Sequence, residues 1–427
     1  MTYKEFFELA ENKGINKIQI TETTTKKLEI NYIDENLEKY NIAEQVEYFI
    51  KAEKNKKTEK VKTNYIDESI LDLLIMKLKE TDSSYEDEYL TNKKVMSLEE
   101  VKLNSSKNTE KELSTLYELK KLNNTISKIK SFYEEYSERI RILNNLGTDI
   151  SSNKNLYSFA TEVIIDNNGE ISSYDKSIIK TEKDKIDFKQ FTENIIEEGI
   201  IISTKKDIKT KKYNLILSKS VAGNILSHIV DMLSETNIRL HTSCLENKIN
   251  QQIFNKKINI IEEPTNKKYP GYRLFDNEGT ETKEKSIVKD GKLVTYLSNI
   301  KEAKMNNSKS TGNGYESIMT RNMHIQEGNI SHKEMLQRLN NGLYITDYMG
   351  ASSTAISQTT GKISIQIFGY IVKDGKITCG FSPSIMTTTI FELLSSVKEI
   401  GNDISFTNLS SASPELLIEN ISIAGNK

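Results

Sequence analysis

The chain has 427 residues, which is long enough for two domains with substantial cores. Its 59 basic and 61 acidic residues give a net charge of −2 and are intermixed, which argues against a nucleic-acid or anionic-membrane surface. Two cysteines argue against a disulfide scaffold, and no apolar run approaches the ~20 residues of a membrane span. With no signal-peptide pattern at the start, a cytoplasmic location is expected.

The N-terminal half predicts a mixture of strands and helices from its apolar periodicity. The predicted elements are a helix over 3–13, a hairpin of strands 18–20 and 28–32 around a Thr-Glu-Thr-Thr-Thr turn, a strand over 45–52, a helix from Asp67 to Lys79, a long charged helix or helix pair over 109–143, a strand over 158–165 ending in the turn 167–169, and a helix over 187–199.

A basic stretch over 205–212 is predicted to be the linker, which divides the chain into domains 1–205 and 206–427. Beyond it, a strand over 213–217 leads directly into a helix over 218–235, and short strands punctuated by glycine follow. The predicted fold class is therefore α+β. The N-terminal domain is predicted to be α/β and to have a mixed sheet and long helices. The C-terminal domain is predicted to be dominated by antiparallel strands.

The stretch over 260–315 carries the most distinctive pattern. It contains an apolar pair before the acidic turn Asp276-Asn277-Glu278-Gly279, a hairpin whose tip contains Asp290-Gly291, and the loop Ser310-Thr311-Gly312-Asn313-Gly314. Further segments follow at 342–350, 360–371, 400–404 and 423–426.

In this order, these segments resemble the TldD/PmbA family, over roughly the last half of the chain. The N-terminal half matches that family only in outline, chiefly at 82–88. The resemblance implies a bacterial, heteromeric zinc metallopeptidase that acts on unfolded or short peptides and matures some peptide precursors.

Metal-bearing members of this superfamily carry a His-Glu-x-x-x-His motif on the helix that corresponds to 218–235. Here an ungapped overlay places Leu226, Ser227 and Asp231 at those positions, and only His228 is present. The further cysteine ligand is missing from 408–413. The resemblance therefore implies the metal-free, TldE/PmbA-like subunit, with no metal or cofactor in this chain and zinc in a TldD-type partner.

The histidines give no alternative metal site. His228 aligns with apolar residues at helical spacing, which favours a packed core residue over a ligand. His241, His324 and His332 lie apart in polar surroundings and are predicted to be surface residues.

Other catalytic constellations are equally weak. Ser310 has no histidine or lysine placed beside it as a base, and the pair Asp276 and Glu278 around a turn favours capping of backbone amides over catalysis. Six residues are the candidates for lining a substrate channel or contacting the partner: Asp276, Glu278, Ser310, Thr311, Asn313 and Thr346.

Three functions remain open from the sequence. The first is a non-catalytic subunit that forms half of a peptidase chamber with a TldD-type subunit and holds an unstructured peptide at a strand edge. The second is a peptide- or protein-binding interaction module without a peptidase role, and the third is a peptidase using unrecognised ligands. Neither direct nucleic-acid nor membrane binding is expected, and homodimerisation of the isolated chain stays open.

Overall fold

The computed structural model describes residues 1–81, 89, 91–95, 103, 107–315, 317–350 and 355–427. The family match at 82–88 therefore lies outside the described residues. The fold is α+β, as the sequence predicts, and its C-terminal half is rich in strands.

The N-terminal half consists of helices, long antiparallel strands and a two-residue strand that pairs parallel with one of the long strands. Its helices are α1 (Tyr3–Asn12), α2 (Glu68–Glu80), α3 (Lys107–Ser114) and α4 (Phe188–Ser203), and its strands are β1 (Lys17–Ile33), β2 (Asn36–Lys54), β3 (Lys57–Thr63), β4 (Lys94–Val95), β5 (Ile126–Asn144), β6 (Asp149–Asn167) and β7 (Glu170–Lys180). These strands form one sheet in the order β3-β2-β1-β5-β6-β4, with β7 also paired to β6. One apolar cluster packs α1 and α2 against β1 to β3, and another packs α3 and α4 against β5 to β7.

The C-terminal half has shorter elements. Its helices are α5 (Lys219–Leu233), α6 (Glu235–Arg239), α7 (Ile300–Met305), α8 (His332–Leu339) and α9 (Ile390–Ser395), and its strands are β8 (Lys205–Lys206), β9 (Lys211–Leu217), β10 (Ile260–Glu262), β11 (Lys285–Lys289), β12 (Lys292–Leu293), β13 (Met323–Ile325), β14 (Gly342–Met349), β15 (Lys362–Lys373), β16 (Lys376–Phe381), β17 (Ser384–Thr389), β18 (Val397–Ile400), β19 (Ser405–Phe406), β20 (Ser411–Ser413) and β21 (Leu416–Ala424). The stretch predicted as a linker thus has β8 at its start and the beginning of β9 at its end.

Two sheets organise this half. The smaller has the order β12-β11-β10-β13-β20-β19. The larger has the order β14-β9-β21-β17-β15-β16-β8, and it closes on itself because β14 also pairs with β15. The largest apolar cluster of the molecule lies here and includes most of the buried face of α5.

Three helices begin directly after a capping side chain. Asp67, Asp187 and Ser218 each accept a hydrogen bond from a backbone N–H in the first turn of α2, α4 and α5. Such a cap contributes about 1 kcal/mol because it satisfies a donor that the helix leaves unpaired.

The predicted hairpin at 18–32 is wrong. Residues 17–33 form the single strand β1, which pairs with β2 on one side and β5 on the other along almost its whole length. The tract Thr23-Thr24-Thr25 continues the strand because β-branched side chains favour extended backbone.

The predicted long helix over 109–143 is also wrong. Its leucines at every third position belong to α3 and to a 3₁₀-helix, Leu116–Leu122, which has three residues per turn. The remainder is β5, where buried and partly buried positions alternate over most of the strand. Polar residues such as Glu135 and Ser137 are buried there, which hides the strand alternation in the sequence.

The two halves meet at the turn over 273–278. Phe275 packs against Ile140, Ile142 and Ile150 of the N-terminal sheet. Thr21 of β1 donates a hydrogen bond to the Asn277 carbonyl at 3.3 Å. In the described part of the chain, no helix is both long and apolar enough to cross a bilayer.

Candidate functional site

A cleft of about 730 Å³ lies beside the loop 308–311, and we call it the Ser310 cleft. Its wall includes side chains from the segment after the acidic turn, from α7 and from the N-terminal half. The charged residues that line it are Lys93, Glu281, Lys283, Glu284, Lys285, Lys304 and Lys309. Lysines outnumber glutamates among these described residues, although Lys285 is paired with Glu262 and Lys283 with Glu281.

Asp276 forms the turn beneath this cleft. Its Oδ1 accepts hydrogen bonds from the backbone N–H groups of Glu278 at 3.0 Å and Thr280 at 2.8 Å, and its Oδ2 accepts one from Gly314 at 2.8 Å. Burial raises its pKa to about 7, and the charge of Glu278 adds to the rise, although the three N–H donors oppose it. The carboxylate organises the turn, as the predicted amide-capping role requires.

Asn313 connects the loop to the small sheet. Its side-chain N–H groups donate to the two carboxylate oxygens of Glu262, at 2.9 and 3.1 Å, and to the Met319 carbonyl at 2.7 Å. Its Oδ1 accepts from the Thr311 hydroxyl at 2.7 Å. Both Asn313 and Glu262 are buried, and Lys285 Nζ lies 2.7 Å from Glu262, so the charge is paired.

The loop geometry also depends on Gly312. This residue has φ of +75°, and a Cβ there would lie 2.8 Å from the Glu281 carbonyl oxygen. Only glycine adopts this conformation without strain and without that close contact.

Five of the six predicted site residues thus gather in one region. Ser310 and Thr311 line the Ser310 cleft, and Asp276 and Asn313 lie buried beneath it. Glu278 is half-buried and accepts a hydrogen bond from the Ile300 N–H at the start of α7, at 2.8 Å.

Thr346 does not join them. It lies on β14 and lines a separate pocket of about 290 Å³, together with Asn224 of α5 and residues of β7. Its Oγ1 is buried and has no hydrogen-bond partner among the described residues.

The helix α5 offers a direct test of whether this chain fits the zinc that the resemblance implies for its sister subunits. Leu226 is buried in the apolar core, Ser227 donates to the Asn224 carbonyl of its own helix at 2.7 Å, and Asp231 is exposed. These three side chains therefore diverge. Within the described residues, no group of three or more His, Cys, Asp or Glu side chains is arranged to hold a metal ion.

The face of α5 toward β20 is closed by direct packing. A Cβ placed on Gly223 would lie 3.2 Å from Ala412 Cα and 3.3 Å from the Ser413 backbone nitrogen. The Ser411 hydroxyl donates to the Gly223 carbonyl at 2.9 Å. The residues at this contact do not fit a zinc ion, since backbone and hydroxyl groups fill the space between helix and strand.

Two predictions about histidines require correction. His228 is half-buried rather than packed in the core, because it lies at the edge of the apolar stripe of α5; burial lowers its pKa and Asp231 opposes this. His324 is buried on β13 rather than exposed. Its ring lies edge-on to Tyr269, and its Nε2 is 3.3 Å from a Glu263 oxygen.

The other two histidines are exposed, as predicted. His332 nevertheless has a partner, because its Nδ1 lies 2.9 Å from the carboxylate of Glu415. This contact raises the pKa of His332.

A further cavity, which the sequence analysis missed, lies between the two halves. We call it the Tyr315 pocket; it has a volume of about 350 Å³. Its charged lining residues are Glu47, Lys62, Glu138, Arg273 and Arg321. The rarity of arginine singles out these positions in the sequence: only six of the 59 basic residues are arginine, and the structure places two of the six in this pocket.

Comparison with known proteins adds to this geometry. Residues 210–425 match the family model of the PmbA/TldA metallopeptidase C-terminal domain. The chain is 27% identical over 286 residues to the metalloprotease PmbA homolog of Buchnera aphidicola from Acyrthosiphon pisum, covering 66% of this chain and 62% of that protein. It is 27% identical over 220 residues to metalloprotease PmbA of Escherichia coli O157:H7, covering 52% of this chain and 47% of that protein. The matches thus span less than two thirds of the length of these curated relatives.

Solved structures show the same fold over nearly the whole chain. A Thermotoga maritima protein, described as a proposed modulator of a DNA gyrase, superposes with a TM-score of 0.88 at 23% identity, covering 99% of this chain and 100% of that one. TldE from Thermococcus kodakarensis superposes with a TM-score of 0.82 at 15% identity, covering 99% of each.

Proposed function

Since this chain belongs to the PmbA/TldD metallopeptidase family, we propose that it is the metal-free, TldE-like subunit of a two-subunit peptidase. In this proposal the zinc and the catalytic residues belong to a TldD-type partner, and this chain forms part of the chamber that encloses an unstructured peptide. Peptide precursors are one class of substrate for such a complex.

The contact between α5 and β20 carries the proposal. A zinc site needs converging side-chain ligands around an open position for water. Where α5 meets β20, in the region 408–413 that lacks the cysteine ligand, Gly223 lies against Ala412 and Ser413, and the Ser411 hydroxyl donates to the Gly223 carbonyl. Leu226, buried in the apolar core, supports the same assignment.

The Ser310 cleft supports a role in holding the peptide. The cleft lies beside a loop fixed by Asn313 and Gly312, so its shape is set before any ligand arrives. Preorganised sites bind with less loss of conformational entropy. Exposed Lys309 and its neighbouring lysines would attract acidic side chains or a terminal carboxylate.

The test measures hydrolysis of an unstructured peptide by this chain, by a TldD-type subunit, and by the two together. We expect no cleavage by this chain, weak cleavage by the partner and strong cleavage by the mixture, because an enclosed site positions the peptide and shields it from bulk water. A chelator should abolish the activity of the mixture.

Variants of this chain sharpen the test. Lys309→Glu, in the cleft, should slow cleavage of an acidic peptide by the mixture, whereas Lys292→Glu, exposed at a hairpin outside the cleft, should not. Size-exclusion chromatography checks that both variants form the complex. If the partner cleaves equally well without this chain, or if no complex forms, the subunit proposal is wrong and an interaction module without a peptidase role replaces it.

A further inference from the structure

The Tyr315 pocket lies where the N-terminal sheet meets the loops of the C-terminal half. Thr21, Glu138 and Ile140 line it from β1 and β5, and Arg273 and Tyr315 line it from the opposite side. Its volume of about 350 Å³ falls within the range of roughly 300–1,000 Å³ that is usual for small-molecule sites.

Among the described residues in and beside this pocket, cations exceed unpaired carboxylates. Glu138 lies 3.2 Å from Lys154 Nζ and 3.8 Å from the Arg273 guanidinium, and it also faces Arg321. The side chains of Glu138, Lys154 and Arg273 are 13%, 6% and 4% exposed, so water screens them little. One buried carboxylate thus faces three cations.

The pKa shifts of Glu138 and Lys154 agree with the excess of positive charge around them. Burial alone would raise the pKa of Glu138, yet Lys154 and Arg273 together lower it to about 2. Burial lowers the pKa of Lys154 to about 8, and Arg321 and Arg273 add to that effect despite the attraction of Glu138.

The other carboxylates that the structure describes near this pocket already have partners. Glu47, at the mouth of the pocket, is 3.1 Å from Lys62, and Glu262, behind Tyr315, is 2.7 Å from Lys285. Asp276, whose charge also acts on Arg273 and Tyr315, already accepts three backbone hydrogen bonds. None of these three carboxylates forms an ion pair with the Arg321 guanidinium.

Two donors of the pocket lack acceptors. The Tyr315 side chain is 8% exposed, and its hydroxyl has no hydrogen-bond partner among the described residues. The same holds for Nε of Arg321, whose guanidinium lies 4.8 Å from the centre of the Tyr315 ring. A buried donor without a partner costs free energy, which an acceptor supplied by a ligand would recover.

We propose that the Tyr315 pocket binds one anionic group, with Arg321, Arg273 and the Tyr315 hydroxyl as its recognition residues. The chemical class is a carboxylate at the end of a short chain or a phosphoryl group, both of which match the planar donors of a guanidinium. The pocket volume accommodates several heavy atoms beyond the anionic group itself, which favours the end of a peptide over a lone ion. This inference does not depend on whether the chain acts with a metal-bearing partner.

The experiment is a calorimetric titration of the full chain at low and at high ionic strength. The probes are an N-acetylated alanine tripeptide with a free C-terminal carboxylate, the same tripeptide as its C-terminal amide, and inorganic phosphate. We expect the free acid to bind and the amide to bind at least about tenfold more weakly, because only the acid neutralises the cations. Binding should weaken as ionic strength rises.

Two variants identify the site. Arg321→Gln removes one half-buried cation, and Tyr315→Phe removes only the hydroxyl; each should weaken binding of the acid by about tenfold. Arg338→Gln, which removes an exposed arginine on α8 that lies 2.6 Å from Glu399, should leave binding unchanged. Thermal unfolding of each variant verifies that the fold is retained, which separates loss of binding from loss of structure.

Each outcome decides the proposal. Binding of phosphate but not the tripeptide acid, with loss in both pocket variants, would support the anion site and assign it to a phosphoryl group. Equal affinity for acid and amide, no binding of any probe, or binding unaffected by Arg321→Gln and Tyr315→Phe would overturn it.

Discussion

The floor of the Ser310 cleft and one wall of the Tyr315 pocket are built from the same stretch of chain, 262–321, yet the polar groups of the floor are hydrogen-bonded whereas two donors of the pocket are not. Beneath the cleft, Asp276 accepts three backbone hydrogen bonds, and Asn313 joins Glu262 to the loop through short bonds. In the pocket, the Tyr315 hydroxyl and Arg321 Nε lack acceptors among the described residues.

This difference separates two uses of buried polarity. A network whose donors and acceptors are matched fixes the shape of a loop and is costly to break. A group of donors that the fold leaves unmatched contributes little to folding and is available to a ligand. Substitutions in the first region should therefore affect stability, and those in the second should affect binding.

The largest expected effect is at Asn313. Asn313→Ala leaves the buried Glu262 carboxylate without two of its hydrogen bonds and removes one acceptor of the Thr311 hydroxyl, which keeps its hydrogen bond to the Ser298 carbonyl. We expect the free energy of unfolding to fall by about 3–5 kcal/mol in urea denaturation, as for other broken buried charge networks. Asn306→Ala, at an exposed asparagine that bonds Glu235 at 3.0 Å, is the control and should cost less than about 1 kcal/mol. A similar small cost at both positions would show that the floor is not a matched network.

A smaller effect concerns pH and Asp276. Its pKa is about 7 in the folded chain and near its ordinary value of 3.8 when unfolded. Between these values the folded state binds more protons than the unfolded state, so stability is greatest below the unfolded pKa and falls as pH rises toward 7.

We therefore expect the free energy of unfolding of the wild type, relative to Asp276→Asn, to fall by about 2 kcal/mol between pH 5 and pH 7 and to level off above that. Asp290→Asn, in an exposed hairpin tip, serves as the control and should track the wild type. A difference between wild type and Asp276→Asn that stays constant with pH would contradict this assignment.

The smallest effect compares two equally buried tyrosines. Tyr174 and Tyr315 are both 8% exposed, but the Tyr174 hydroxyl donates to Glu198 at 2.6 Å whereas that of Tyr315 has no partner among the described residues. Tyr174→Phe should cost about 1.5 kcal/mol, whereas Tyr315→Phe should leave stability unchanged or raise it, because the removed hydroxyl is buried without an acceptor. Thermal and urea unfolding of both variants measures this difference. A cost at Tyr315 as large as that at Tyr174 would remove the distinction between the two regions.

The sequence predicts those parts of the fold whose cause is local. The start of α2, α4 and α5 follows from a capping side chain, and the turn of Asp276 follows from an Asp placed before a glycine. Strand β5 escaped prediction because Glu135 and Ser137 are buried, which only its neighbours β1 and β6 make possible.

The parts of the candidate site that could be predicted from the sequence are also those with a local cause. Residues of the cleft floor lie close together in sequence and share recognisable turns, so five of the six predicted residues gather there. In the Tyr315 pocket, Glu138 of β5 lies beside Arg273 and Arg321 of the other half. No local sequence pattern predicts such a contact between distant segments. His324 likewise depends on aromatic neighbours that are distant in sequence.

The position of β21 has a consequence for how the molecule assembles. This strand lies between β9 and β17, with Leu416 opposite Leu217 and Ile423 opposite Lys211. During synthesis β9 therefore leaves the ribosome long before β21 is made. The large sheet cannot be completed until β21 pairs with β9 and β17. Pairings between such distant segments form slowly, and until they form, an unpaired strand edge is exposed to other chains. The newly made chain thus has a period in which it depends on protection from aggregation.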